Sequence, residues 1–192
     1  MLPRRQPGII DVASRTTERL HLRPIRPDDL SDLTALFALP ETVAHRPQPA
    51  VDSPEVSRAR LERALDHWRE HGFGTWVIAA EGRSIGFGGL TRRAGYEGLN
   101  ISYHLFPHSW RRGYATAFVN EAVAVAFGPL EATRVVGLVR SANPASRRVL
   151  ERAGFVAEGA VDYGGAPITL LARYRPAPSP PPFAAGAEAA RS

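Results

Sequence analysis

The chain has 192 residues and a formal net charge of +5. It is 44% hydrophobic and 22% charged, and it contains neither cysteine nor lysine, so all 24 basic residues are arginine. Such a composition fits one folded unit able to bury a core. The missing side chains exclude disulfides, thiolate nucleophiles, thiolate metal sites, lysine Schiff bases and a lysine-bearing Walker A loop.

Residues 1–15 carry no clear periodicity and are expected to be flexible. "RLHLRPI" (19–25) alternates and predicts a strand. In "RPDDLSDLTALFAL", Asp28 or Asp29 is placed to cap a helix whose apolar face is Leu30, Leu33, Leu36 and Phe37. "ETVAHRPQPAVDSP" reads as a proline-broken loop. A second helix follows, with Pro54 at its start and Gly72 at its end. Three strand-like runs come next, "FGTWVIAAE", "RSIGFGGLTR" and "GLNISYHLF", the first two joined by a Glu81-Gly82 turn. "GYATAFVNEAVAVAFG" predicts a helix and "TRVVGLVR" a strand. "NPASRRVLERAG" predicts a short helix capped by Asn143, before two closing strands. The order predicts an α+β domain over 1–175, a mixed, mostly antiparallel sheet of about seven strands flanked by about four helices. The Pro/Ala-rich stretch 176–192 is expected to be a disordered tail.

One stretch asks for a ligand. In "WRRGYATAFVNEAV" (110–123), two arginines and a glycine stand at the first turn of a helix. The first N–H groups of a helix have no internal partner, and the helix dipole makes that end positive. Gly113 lets the backbone turn and a ligand approach closely. An anion such as a phosphate or pyrophosphate suits that place. No His/Asp/Glu cluster has metal-ligand spacing, so no metal is expected.

The stretch has company. "TTERLHLRPIRPDD", "GFGTWVIAAEGRSIGFGGL", "ISYHLFPHSWRRGYATAFVNEAVAVAFG" and "VRSANPASRRVLERAGFVAEG" occur in that order. Together they resemble the GNAT superfamily of N-acetyltransferases, and within it the RimJ/RimL-like branch that acetylates ribosomal-protein N-termini. The resemblance spans about residues 16–174 and rests most on the joint occurrence of the last two motifs. It implies the GNAT fold with a V-shaped opening between the fourth and fifth strands. It makes the anion the pyrophosphate of acetyl-CoA, the acyl donor. Arg111, Arg112, Gly113, Tyr114, Ala115 and Thr116 would contact phosphate. The backbone of Leu105 would pair with the pantetheine arm, and Asn143 would hydrogen-bond it. Ser146 would protonate the leaving thiolate, and Arg152 would reach the adenosine phosphate end.

The implied reaction is direct attack of a primary amine on the acetyl carbonyl, since without cysteine no enzyme thioester can form. The acceptor is a protein N-terminal α-amine or a small-molecule amine. Asn100 stands where relatives often carry glutamate, which leaves the base open between His104, Glu97 and water. Trp110 is expected to pack the loop against the core. Two other readings remain. Asn100 speaks for a non-catalytic acyl-CoA-binding protein, and the net charge alone for an arginine-rich RNA or ribosome-surface binder. Nucleic acid is otherwise not expected as a partner, because the arginines are scattered without interleaved aromatics. No apolar run approaches the roughly 20 residues that cross a bilayer. No apolar stretch follows the N-terminal arginines, so no membrane contact, a cytoplasmic location and a monomer or homodimer are the expectations.

Overall fold

The computed structural model describes residues 12–163 and 165–177. Its strands are β1 (Arg15–Thr16), β2 (His21–Pro24), β3 (Thr75–Ala80), β4 (Arg83–Thr91), β5 (Leu99–Leu105), β6 (Arg134–Val139), β7 (Val156–Asp162) and β8 (Pro167–Tyr174). They form one sheet in the order β1-β2-β3-β4-β5-β6-β8-β7. The helices are α1 (Leu30–Phe37), α2 (Pro40–Val43), α3 (Pro54–His71), α4 (Tyr114–Phe127) and α5 (Pro144–Arg152).

Alternation along the strands decides which helices cover which face. On β3, Trp76 and Ile78 point to one side, where they join Phe118 and Val119 of α4 and Leu150 of α5. Val77 points to the other side and joins Leu33, Leu36 and Phe37 of α1 and Leu61 of α3. The helix ends follow local chemistry. Ser53 caps α3 by accepting from the Val56 N–H, and Gly72 ends it in the left-handed region at φ 72°. Glu81 and Gly82, both at positive φ, make the tight β3–β4 hairpin turn.

Every neighbouring pair in the sheet is antiparallel except β5 and β6. Their parallel pairing covers only Leu99↔Val135, Asn100↔Val136 and Ile101↔Gly137. Beyond Ile101 and Gly137, β5 stays bonded to β4 and β6 to β8, so the two strands part. This is the V-shaped opening expected between the fourth and fifth long strands. Leu150 of α5 packs closely where it begins: a Cβ on Gly137 would lie 2.5 Å from Leu150 Cδ1, so a larger residue would displace that side chain.

Several local expectations change. The two-residue strand β1 and the short helix α2 are additional, α2 falling in the segment read as a loop. Asp29 does not cap α1. Its carboxylate accepts from the Arg26 N–H and from both terminal nitrogens of Arg23. Of the stretch expected to be flexible, residues 12–15 are held: Val12 and Ala13 carbonyls accept from the Trp76 indole, and Arg15 pairs with Glu121 at 2.7 Å. Residues 1–11 and nearly all of the proline-rich tail lie outside the described residues. Among those described, no helix is long and apolar enough to cross a membrane.

Candidate functional site

A cavity of about 950 Å³ fills the V between β5 and β6. Its walls also include the loop before α4, the first turns of α4 and α5, α2, and Tyr163 at the β7–β8 turn.

One end is built to meet an anion. After a single 3-10 turn at Pro107–Ser109, the chain passes Arg111 at φ 60° and Gly113 at φ 78°, and α4 begins at once. Gly113 carries no side chain that could cap the helix. Among the described residues no other side chain accepts from the N–H groups of Tyr114, Ala115 or Thr116. Tyr114, Ala115 and Thr116 line the cavity at the positive end of a 14-residue helix. Exposed Arg111 lines the same end, as does Arg152 on α5.

Arg112 does not line the cavity. Its guanidinium donates to Glu81 at 2.5 Å, and its carbonyl accepts from Arg19 at 2.6 Å. The Arg112 side chain thus serves the back of the loop. The Tyr114 side chain is turned the same way. It is buried, with its hydroxyl donating to Glu81 at 2.8 Å, so what Tyr114 offers the cavity is its backbone N–H.

The middle of the cleft combines a strand edge with two hydroxyls. The Phe106 N–H donates to the Ile85 carbonyl. Alternation in the antiparallel ladder then turns the N–H and C=O of Leu105 towards the opening. The carbonyl accepts from the Trp110 indole at 2.7 Å, which leaves the Leu105 N–H facing the cleft. Trp110 is 43% exposed, so it holds the mouth of the cleft and does not pack into the core. Across the opening, Asn143 accepts from the Ser146 N–H at 3.0 Å and caps α5. The Ser146 hydroxyl lies 3.0 Å from the hydroxyl of Tyr103 on β5, so this pair bridges the two sides of the V. Burial raises the Tyr103 pKa above its usual value, and the Ser146 hydrogen bond only partly offsets that.

The far end holds His104, half-buried, its ring 4.8 Å from Phe37 and 5.9 Å from His45. Desolvation, together with Arg60, His45 and Arg46, pushes its pKa down to about 3. The ring is neutral at physiological pH and a poor base. Taking a proton from an amine of pKa about 8 would be uphill by about 7 kcal/mol. Asn100 is buried and donates to Thr91 at 3.4 Å. Glu97 is exposed and outside the cavity wall.

Most residues singled out in the sequence thus converge on one cleft, with the Arg112 side chain turned away and Glu97 outside it. Tyr103, His45, Arg60, Arg93, Arg140 and Tyr163 were missed. Alternation on β5 could have paired Tyr103 with the Leu105 side of the strand. The others come from separate segments with no common spacing.

This geometry can be set beside known proteins. The family model described as the acetyltransferase (GNAT) domain matches residues 19–156. The chain is 27% identical over 148 residues to the uncharacterized N-acetyltransferase YoaA of Bacillus subtilis, covering 74% of this chain and 82% of that one. An acetyltransferase of Agrobacterium tumefaciens superposes with a TM-score of 0.75 at 23% identity, covering 88% of this chain and 99% of the other. A spermidine N-acetyltransferase of Vibrio cholerae, solved with CoA and spermine, superposes with a TM-score of 0.66 at 18% identity, covering 83% and 97%. With the family model matching residues 19–156, most of its folded part, the chain belongs to the GNAT acetyltransferase family.

Proposed function

We propose that this protein is an acetyl-CoA-dependent N-acetyltransferase that moves an acetyl group to a primary amine. The observation that carries the reading is the uncapped start of α4, which opens onto the same cleft as the Tyr103–Ser146 pair. Phosphates would take the free N–H groups of Tyr114, Ala115 and Thr116, with Arg111 and Arg152 beside them. The pantetheine arm would extend β5 at the Leu105 N–H, with Asn143 on the opposite wall. Positioning of two reactants is then the largest catalytic contribution, up to roughly 7–11 kcal/mol.

In the reaction, the neutral amine attacks the acetyl carbonyl, a C–N bond forms and the C–S bond breaks. Ser146 donates its proton to the departing sulfur and is reprotonated from Tyr103, which regains a proton from water. The proton lost by nitrogen leaves to water, because His104 is too weak a base to hold it. The finer placement in the RimJ/RimL-like branch, with a protein N-terminus as acceptor, fits this scheme: an α-amine of pKa about 8 is partly neutral at physiological pH, whereas a lysine amine of about 10.4 is not.

Thiol release from acetyl-CoA against N-terminal peptides and small amines tests the reading, beside calorimetry of acetyl-CoA binding. No binding heat and no shift in melting at millimolar acetyl-CoA would overturn it. Buried Asn100 and the weak base His104 favour a second reading, an acyl-CoA-binding protein without turnover. Tight acetyl-CoA binding with no thiol release across the whole panel would select that one.

A further inference from the structure

The end of the cleft away from α4 is walled by cations that a phosphate-bearing donor does not account for. Arg111, Arg148 and Arg152 stand on the loop and on α5, the last two one helical turn apart on one face. Arg60, Arg93 and Arg140 line the other end. Arg93 donates to the Tyr163 hydroxyl and lies over its ring at 4.4 Å, and Arg140 lies over the same ring at 5.5 Å. Neither has a carboxylate within ion-pair distance among the described residues. Arg60 shares buried Asp52 with Arg46, so those three groups together keep one positive charge. Among the described residues, the one carboxylate on the cleft wall is exposed Glu41. Burial and the charges of Arg46 and Arg140 hold His45 below its usual pKa.

We infer that the acceptor amine carries a carboxylate a few bonds from its nitrogen, bound by Arg93 and Arg140 beside Tyr163. Two planar guanidiniums held on one aromatic ring make a fork suited to a carboxylate. The same charges act on the nucleophile. A positive wall disfavours the ammonium form and favours the neutral amine, which is the form that attacks, so a strong base is not required. A polyamine would meet like charges throughout this end. The carboxylate has two sources, the α-carboxylate of a free amino acid or an acidic side chain near a peptide N-terminus. This inference rests on the acetyl-transfer reading for the amine, while recognition of the anion does not depend on turnover.

The test is calorimetry on the full chain saturated with desulfo-CoA, with thiol release from acetyl-CoA measured in parallel. The ligands are free glutamate, C-amidated peptides beginning Ala-Glu, Ala-Gln and Ala-Lys, and spermidine. The glutamate-bearing ligands should bind at least about tenfold more tightly than the Ala-Gln peptide, with spermidine weakest. Arg93→Gln and Arg140→Gln should each remove about tenfold or more of that preference, the loss expected for one charged hydrogen-bond partner. Both should raise the KM of the anionic acceptor with little change in kcat. Free glutamate outranking the peptide assigns a small-molecule acceptor, and the reverse order a protein N-terminus. Equal or tighter binding of Ala-Lys or spermidine, a preference unchanged in both variants, or no binding by any acceptor would overturn the inference. The ranking with unaltered protein stands even where a variant fails to fold. Binding of the anionic amine without thiol release would sink the acetyl-transfer reading and leave the anion site supported.

Discussion

Two helices begin at the walls of one cleft, and they begin differently. α5 starts in the ordinary way: Asn143 accepts from the Ser146 N–H, and Pro144 fills a position whose own N–H would be unused. α4 starts at Gly113, a residue with no side chain and a left-handed backbone, and its first donors stay open. A helix start that no described side chain completes leaves donors open for a ligand, whereas a completed start is a structural fixture that also presents its neighbours. The difference predicts that damage to α4's start is read in ligand affinity, and damage to α5's start in stability or chemistry.

The largest effect should come from Gly113→Val. At φ 78° any side chain is strained, and a Cβ would meet Arg19 Nη1 at 3.1 Å, the movable end of a long side chain. Relieving that strain would shift the turn and misdirect the amides that follow it. Losing two charge-assisted hydrogen bonds, about 1.5–3 kcal/mol each, would weaken acetyl-CoA binding by about two to four powers of ten. Titration with desulfo-CoA beside a circular-dichroism melt checks this. Parental affinity in a folded variant would remove the distinction between the two helix starts.

On the α5 side, Ser146→Ala should reduce kcat by about a hundredfold while leaving coenzyme A affinity within a few-fold, since proton donation acts in the transition state. Equal kcat under conditions where chemistry limits would return Ser146 to a structural role. Asn143→Ala is the matched opposite of Gly113→Val. It should lower stability by about 1 kcal/mol through the lost cap, with a smaller change in affinity than Gly113→Val. A melt and a titration on the same sample would show which loss dominates.

The contrast also explains what could be read in advance. Gly113 and Asn143 announce themselves because turns and caps are local chemistry, written within three or four residues. So are the ends of α3 at Pro54 and Gly72. The cation cluster is not local: Arg93 follows β4, Arg140 follows β6 and Tyr163 follows β7, and only the sheet order β4-β5-β6-β8-β7 brings them to one end. Trp110 misled because a tryptophan suggests core, whereas here its indole N–H is needed at the surface to take the Leu105 carbonyl. Asp29 misled because a carboxylate before a helix suggests a cap, whereas Arg23 in β2 competes for it through tertiary contact.

Neither helix start supplies a group expected to titrate near neutrality, and the nearby histidine is held neutral. With its pKa pushed down to about 3, His104 carries no proton anywhere above about pH 4, so it adds no inflection to a rate profile at higher pH. The profile of kcat/KM should instead rise with pH to a plateau and follow the acceptor, moving when the amine's own pKa is changed. His104→Gln should leave that inflection where it was. An inflection near pH 6.5 that disappears in His104→Gln would show the ring to be a working base after all.

The smallest effect is the one that divides neighbouring residues. Arg111 and Arg112 both precede α4, yet only Arg111 faces the cleft. Arg112 is tied to Glu81 on the β3–β4 turn and lies over the Tyr114 ring at 5.1 Å, behind the loop. Both members of that ion pair are about half exposed, 49% and 57%, and exposed pairs contribute little because water and salt screen them. The amides of α4 remain in place without it. Arg112→Ala should therefore change acetyl-CoA affinity by less than about threefold, and Arg111→Ala by about tenfold at low salt, the latter shrinking as salt is added. Titrating both variants with desulfo-CoA at two ionic strengths separates them. A larger loss from Arg112→Ala than from Arg111→Ala would mean that the loop turns over when phosphate binds, and that the open start of α4 is not already arranged in the free protein.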